Sequence, residues 1–303
     1  MINPLTNYYT DRLPLTDIAF KRRIPISPPI GDNTRFFKDH FAINAKDWRG
    51  LFNRLAETVT IERVQEAQFG GLSGQWAQDI EAAFSQYHDA ELKPRMGNMI
   101  YDAGKAMSGR ILRAAGKGNM PDEEKAYRFN STTSRILAYI TNEAGKLIVE
   151  IQIDTLKNIR SILAASIRKN ELPQTTMQRL RKLVKLTARE TGYVDNHFEA
   201  LIAEGIDPFK AVKLADRYAE LLARLRVERI VRTETAAAYS QANIEAMEQA
   251  VDNGLISGFK QVWRTAETER TCDLCADRDN KETDESPPAH PNCMCSLDFT
   301  LEV

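Results

Sequence analysis

The sequence predicts a mainly α-helical body followed by a small C-terminal β unit, and three observations lead there. Apolar residues recur at three- and four-residue intervals from near Thr34 to Asn253. Beyond Gly258 the period falls to two, with Phe259, Gln261, Trp263 and Thr265 alternating against Lys260, Val262 and Arg264, and Leu297, Phe299, Leu301 and Val303 alternating at the end. All four cysteines of the 303 residues lie between these two runs, from Cys272 to Cys295.

The cysteine stretch organises the reading of everything else. Cys272 and Cys275 form a C-x2-C pair, a spacing at which one tight turn brings two sulfurs to a common centre. His290 and Cys293 form a second pair, giving C-x2-C-x14-H-x2-C, the pattern of a closed structural zinc site. Cys295 makes five candidates for four places, so His290 or Cys295 lies outside the ligand shell in one version; Cys272, Cys275, His290 and Cys293 are the favoured set. A disulfide framework is the alternative, but four cysteines confined to one short segment of a long chain do not resemble one. A catalytic zinc keeps an open position and a base in reach. Here the thiolates suffice to close the shell, and neither H-E-x-x-H nor an H-x-E ahead of P-C-x-x-C is present.

Composition sets broad limits. A hydrophobic content of 43% and a charged content of 27% are ordinary for a soluble globular chain, and the net charge of -1 hides a polarised distribution. From Thr155 to Arg189 there are nine Lys and Arg against the single acid Glu171, whereas Glu267 to Val303 holds ten acids against three bases. No apolar run approaches the roughly eighteen residues of a membrane span, and Met1 to Phe20 is too broken by Pro4, Pro14 and charge to form a signal-peptide core. The expectation is synthesis in a reducing, intracellular setting, which suits thiolates held by zinc.

Four regions are expected. Residues 1–32 carry five of the twelve prolines and read as an extended, proline-rich arm whose scattered apolar residues lie along another surface. Residues 33–120 read as an N-terminal helical region, one segment running from Thr34 to the Gly70–Gly74 break and a second from Trp76 that Pro94 kinks or splits. Residues 121–254 read as a helical core in which Ile136, Tyr139, Ile140, Leu147, Ile148, Ile151, Leu156, Ile159, Ile162 and Leu163 face inward. Within it, Leu172-Pro173 is a boundary, Asp207 caps a helix that Pro208 opens, and Asn253-Gly254 ends that helix. Residues 255–303 read as a β module whose folding depends largely on zinc, because so small a unit buries little core. His40, His88 and His197 stand alone and are read as ordinary core or surface residues.

Two features have more than one reading. The segment Thr175–Glu190 is expected to be one amphipathic helix, with Met177, Leu180, Leu183, Val184 and Leu186 on one face and Arg181, Lys182, Lys185 and Arg189 on the other. A charged face is usually a solvated face, but the lack of interspersed Glu makes these four residues candidate contacts for DNA phosphates or an acidic partner. In Arg226 to Thr235, Val227, Ile230, Val231 and Ala238 make an apolar stripe into which Glu234 falls. A carboxylate there requires a cation or several donors, so Glu234 is read as a structural ion-pair partner, with a catalytic role as the alternative.

Taken together, these motifs resemble a known family. Arg229, Ile230, Arg232, Thr233 and Glu234, then Trp263, then Cys272, Cys275, His290, Pro291, Cys293 and Cys295 are similar to the pattern of tailed-bacteriophage minor head proteins, the phage Mu F-like or SPP1 gp7-like head morphogenesis family. The resemblance covers roughly residues 130 to 303. The chain departs from the family at Asp279-Asn280, where Asp-Gly is usual, and at Met294, where Arg is frequent. Asn tolerates a left-handed backbone, so the turn is expected to survive. The resemblance implies a non-enzymatic protein of the virion head. It would dock on the portal, enter the prohead from the host cytoplasm, and assist head assembly and DNA packaging or delivery. Its expected partners are the portal protein, the major capsid or scaffolding protein and packaged double-stranded DNA. The competing readings are a metal-dependent nuclease built on Glu234 and His290, and a zinc-bearing DNA-binding adaptor.

Overall fold

The computed structural model describes residues 33–114, 128–265, 271–293 and 295–302. The proline-rich arm expected over residues 1–32, and Met294, lie outside these. In the described residues, helices α1 (Asn33–Glu57), α2 (Ile61–Gly70), α3 (Gly74–Tyr87), α4 (Lys93–Ala114), α5 (Ser134–Arg168), α6 (Pro173–Leu183), α7 (Ala188–Ala203) and α8 (Pro208–Asp252) form the body. Strand β1 (Gly258–Arg264), the single turn α9 (Asp273–Ala276) and strand β2 (Ser296–Glu302) follow. The predicted architecture, mainly α with a small two-stranded C-terminal unit, is the one observed. No helix of the described residues is long and apolar enough to cross a membrane.

Local chemistry explains most boundaries. The hydroxyls of Thr60, Ser73, Thr133 and Thr187 each accept a backbone N–H in the first turn of α2, α3, α5 and α7, satisfying a donor that the helix leaves open. Asp207 does the same for α8, with Pro208 in the first turn as predicted. Pro94 cannot donate to a preceding carbonyl, and the helical path loosens into a π-helical turn at His88–Leu92 just before it. Thr58 to Thr60 interrupt what the sequence suggested was one segment from Thr34 to Gly70, because the Thr60 cap starts α2 anew.

The amphipathic segment expected over Thr175–Glu190 is likewise two helices. Thr187 and Glu190 form a capping box that begins α7, while the Asn158 amide donates to the carbonyls of Leu183 and Leu186 at 2.7 and 2.8 Å. Carbonyls freed by the break thus find a buried donor from α5, which offsets the cost of interrupting the helix. By contrast α8 runs unbroken for 45 residues. It packs against α1 and α4 of the N-terminal region as well as α7 of its own, and one continuous core extends from Ala45 in α1 to Ala242 in α8.

The strands pair antiparallel, Trp263 opposite Leu297 and Phe259 opposite Leu301. Along the other edge of β1, the Trp263 N–H donates to Lys281 O and its carbonyl accepts from Asn280 N, both at 2.9 Å. Asn280 takes the left-handed conformation, φ 60°, that the Asp-Asn turn was expected to require.

Candidate metal centre

The two knuckles form by backbone bonds within the chain segments that carry the ligands. Cys275 N donates to Cys272 O at 3.0 Å, and Cys293 N donates to His290 O at 3.1 Å. Each bond curls its segment so that both side chains of the pair turn the same way. The strands supply the frame: β1 delivers the chain toward the first knuckle, β2 leaves the second, and fully buried Trp263 packs with Leu297 against the sulfurs.

All five predicted donors converge. Cys272, Cys275 and His290 form one group and Cys275, Cys293 and Cys295 another, the donor atoms within each lying no more than 4.8 Å apart. His290 Nε2 is 3.2 Å from both Cys272 Sγ and Cys275 Sγ, and Cys275 Sγ is 3.8 Å from Cys293 Sγ. Cys275 belongs to both groups and is the hinge of the cluster. No disulfide links the cysteines. His290 Nδ1 lies 2.9 Å from the carbonyl of Pro291, which can only accept. With Nδ1 turned to that carbonyl, Nε2 is the ring nitrogen that faces the sulfurs, the orientation of a metal-binding histidine.

Electrostatics explain why such a cluster wants a cation. The Cys295 thiol beside it, helped by backbone N–H groups of Cys295 and Ala289, holds Cys293 down to about 5. Burial, together with the Cys293 charge, pushes Cys275 up to about 12, and the bond to Cys293 pushes Cys295 up as well. A first thiolate is stabilised and the next is opposed by it. A divalent ion at the common centre removes that conflict, since it compensates several thiolates at once. The residues present therefore fit a nitrogen- and sulfur-loving metal ion.

The Arg-Thr-Glu segment of α8 serves this cluster and the body together. Thr233 Oγ accepts from Asn292 N at 2.9 Å, and Arg232 Nη1 donates to Asn292 Oδ1 at 2.6 Å, so the turn between His290 and Cys293 is fastened to α8. Asn292 is left-handed there, φ 68°, a conformation asparagine accepts more readily than most residues. One turn earlier, Arg229 pairs with Glu190 of the α7 capping box at 2.7 Å.

Glu234 faces away from the metal cluster into the body. Among the described residues the ion pair expected for it is not found: Oε2 accepts the Trp48 indole N–H at 2.9 Å, and Oε1 has no hydrogen-bond partner there. The nearby Arg95 is engaged by Asp47 instead. With one neutral donor and only the more distant attraction of Arg95, complete burial dominates and pushes the Glu234 carboxyl up to about 8. Burial thus favours its protonated form over the carboxylate. The sequence signal, a carboxylate on an apolar stripe, located the anomaly and misjudged its solution. An α1 indole 186 positions away leaves no trace in local spacing.

The residues of the predicted basic face also make contacts within the chain. Arg181 Nε donates to Val59 O at 2.9 Å, Lys182 pairs with Asp216 at 2.5 Å, and Lys185 donates to Asn53 at 2.8 Å. Arg189 Nε contacts the Tyr193 hydroxyl at 2.6 Å. Arg181, Lys182 and Lys185 thus tie α6 and the turn after it to neighbouring elements, Arg189 bonds within α7, and Arg181, Lys182 and Arg189 stay exposed to solvent. Among the structural polar residues that sequence reading missed are Asn158 and Arg226, the latter nearly inaccessible, its guanidinium over the Phe52 ring and bonded to Lys185 O. Comparison with protein-family models, with curated proteins and with solved structures returns no match for this chain.

Proposed function

We propose that this chain is a non-enzymatic minor head protein of a tailed phage, one that docks on the portal, enters the prohead and assists head assembly and DNA packaging or delivery. Its Cys/His cluster holds a structural zinc ion drawn from Cys272, Cys275, His290, Cys293 and Cys295. Bound there, zinc supplies a cross-link between two short segments that otherwise share little core.

One observation supports the reading above others. Several of the residues that carry the resemblance, scattered through the sequence, meet in one substructure, with Arg232 and Thr233 gripping Asn292 of the second knuckle and Trp263 closing the cluster from β1. A staple locked to the longest helix suits a part that must survive assembly into a particle. The nuclease reading loses its base, because Glu234 is completely buried and turned toward Trp48.

The deciding experiment is co-expression with the portal protein of the same genome, followed by size-exclusion chromatography and mass determination. Co-elution at a fixed ratio, resistant to nuclease and moderate salt, is the expected result. Separate elution of two stable proteins would overturn the reading. Portal, capsid or scaffolding contact and location in the virion head all stand on that result, as does any contact with packaged DNA.

A further inference from the structure

The C-terminal half of α5 presents an outward stripe of unusual composition. Ile153, Lys157, Arg160, Ile167 and Arg168 follow one another at spacings of three, four or seven residues, or directly, and all are exposed, with the exposed acids Glu150 and Asp154 confined to the end nearest Ile153. Leu172, 68% exposed, continues the stripe past the helix end, with Lys169 beside it. Phe69 joins from α2. Its neighbour Gln68 donates to Glu171 O, Ser166 Oγ and Thr176 Oγ, which holds the end of α2 against this corner and leaves the Phe69 ring 95% exposed. Exposed apolar side chains this large, with four cations along the same stretch, mark an interaction surface rather than ordinary solvent exposure.

The metal module carries the complementary surface. On its outer side Asp273, Leu274 and Asp277 are exposed around α9, and Asp284 and Glu285 are exposed on the following loop. Leu274, at 49%, is the one large exposed apolar residue of the described module, and it sits among these acids. Both surfaces are open in the same molecule, so neither covers the other within the chain. A two-fold contact of stripe against stripe would oppose like charges. A contact between different faces of two copies pairs them.

We infer that copies of this chain associate head to tail, the basic, apolar stripe of one seating the acidic outer face of another copy's metal module. Phe69, Ile167 and Leu172 are the apolar centre, Lys157, Arg160, Arg168 and Lys169 the rim, and Leu274 the insert from the neighbour. The contact is heterologous, so it propagates into a ring or an open chain. This inference is independent of the head-protein reading.

Sedimentation velocity of the zinc-loaded full chain across a wide concentration range tests it. At low salt the mass rises above the 34.3 kDa of one chain with concentration, and at 0.5 M salt it returns to 34.3 kDa. Arg168→Glu with Lys169→Glu weakens association by about tenfold or more, as does Asp277→Lys with Asp284→Lys. An equimolar mixture of the two charge-reversed proteins associates again, since each offers a face of the sign the other lacks. Phe69→Ser weakens association at low salt, where the charges of both faces are intact. A mass of 34.3 kDa at all concentrations would overturn the inference. So would self-association indifferent to these charge reversals, or a monomer whose stripe binds a short DNA duplex or anionic vesicles instead.

Discussion

The backbone N–H of Asn292 donates to the hydroxyl of Thr233 at 2.9 Å, across 59 positions of sequence. Thr233 Oγ in turn donates to Arg229 O at 2.8 Å, so one hydroxyl links the α8 backbone to the knuckle that carries His290 and Cys293. The metal centre is thereby part of the helical body and not a tethered appendage. Thr233→Ala removes the acceptor and is expected to lower stability by about 1 kcal/mol. Asn292→Ala loses the Arg232 contact as well and strains a left-handed backbone, so its cost should be larger, on the order of 2 kcal/mol. Urea denaturation of zinc-loaded protein measures both, and an Asn292→Ala change no worse than Thr233→Ala would contradict the linkage described.

Cys275 lies in both donor groups, whereas Cys272 and Cys295 each lie in one. Cys275→Ser should therefore reduce metal affinity most, by roughly tenfold or more beyond the loss in Cys295→Ser, as competition with a chromophoric chelator would show. Equal losses in the two variants would mean that the metal does not use the centre both groups share.

Removal of the metal should unsettle the β module and spare the helices. Trp263 is fully buried against the sulfurs and Leu297, so chelation is expected to shift its fluorescence to the red. The helical circular dichroism signal should hardly change, because the body has its own continuous core. Trp263→Phe should abolish the red shift, since Trp48 and Trp76 lie in the helical core. A chelated protein with unchanged emission would show that the module needs no metal.

The buried Glu234 carboxyl makes stability depend on pH in a predictable direction. Its folded value, about 8, lies above the ordinary 4.5, so between those pH values the folded state holds a proton that the unfolded state has released. The stability it permits at acid pH is therefore lost progressively as pH rises from about 4.5 to about 8. Glu234→Gln should flatten this part of the profile and be more stable than the parent at pH 8 by roughly a few kcal/mol. Parallel profiles for the two proteins would show that Glu234 does not take up the proton.

Gly104 in α4 faces the Phe129 ring so closely that an added Cβ would overlap it. Alanine gains about 1 kcal/mol of helix propensity, but forcing the ring away costs about 1–3 kcal/mol. Gly104→Ala should thus be destabilising on balance, and Gly104→Ala with Phe129→Leu should recover part of the loss in thermal melts.

The sequence alone determined features that arise from local covalent geometry. Helical period, the caps at Asp207 and Pro208, the alternating strands and the convergence of two knuckles each depend on residues a few positions apart. Their spacing is visible in one dimension, which is why the helical body and the Cys/His cluster were legible there. Only the tertiary structure decided how polar groups between those elements were satisfied. It gave Glu234 the Trp48 indole in place of a cation, and it occupied Arg181, Lys182 and Lys185 with Val59, Asp216 and Asn53. It also divided Thr175–Glu190 at a break that Asn158 supports from α5. A buried polar group bonds to whichever partner packing places beside it, and that partner's distance along the chain is set by the fold.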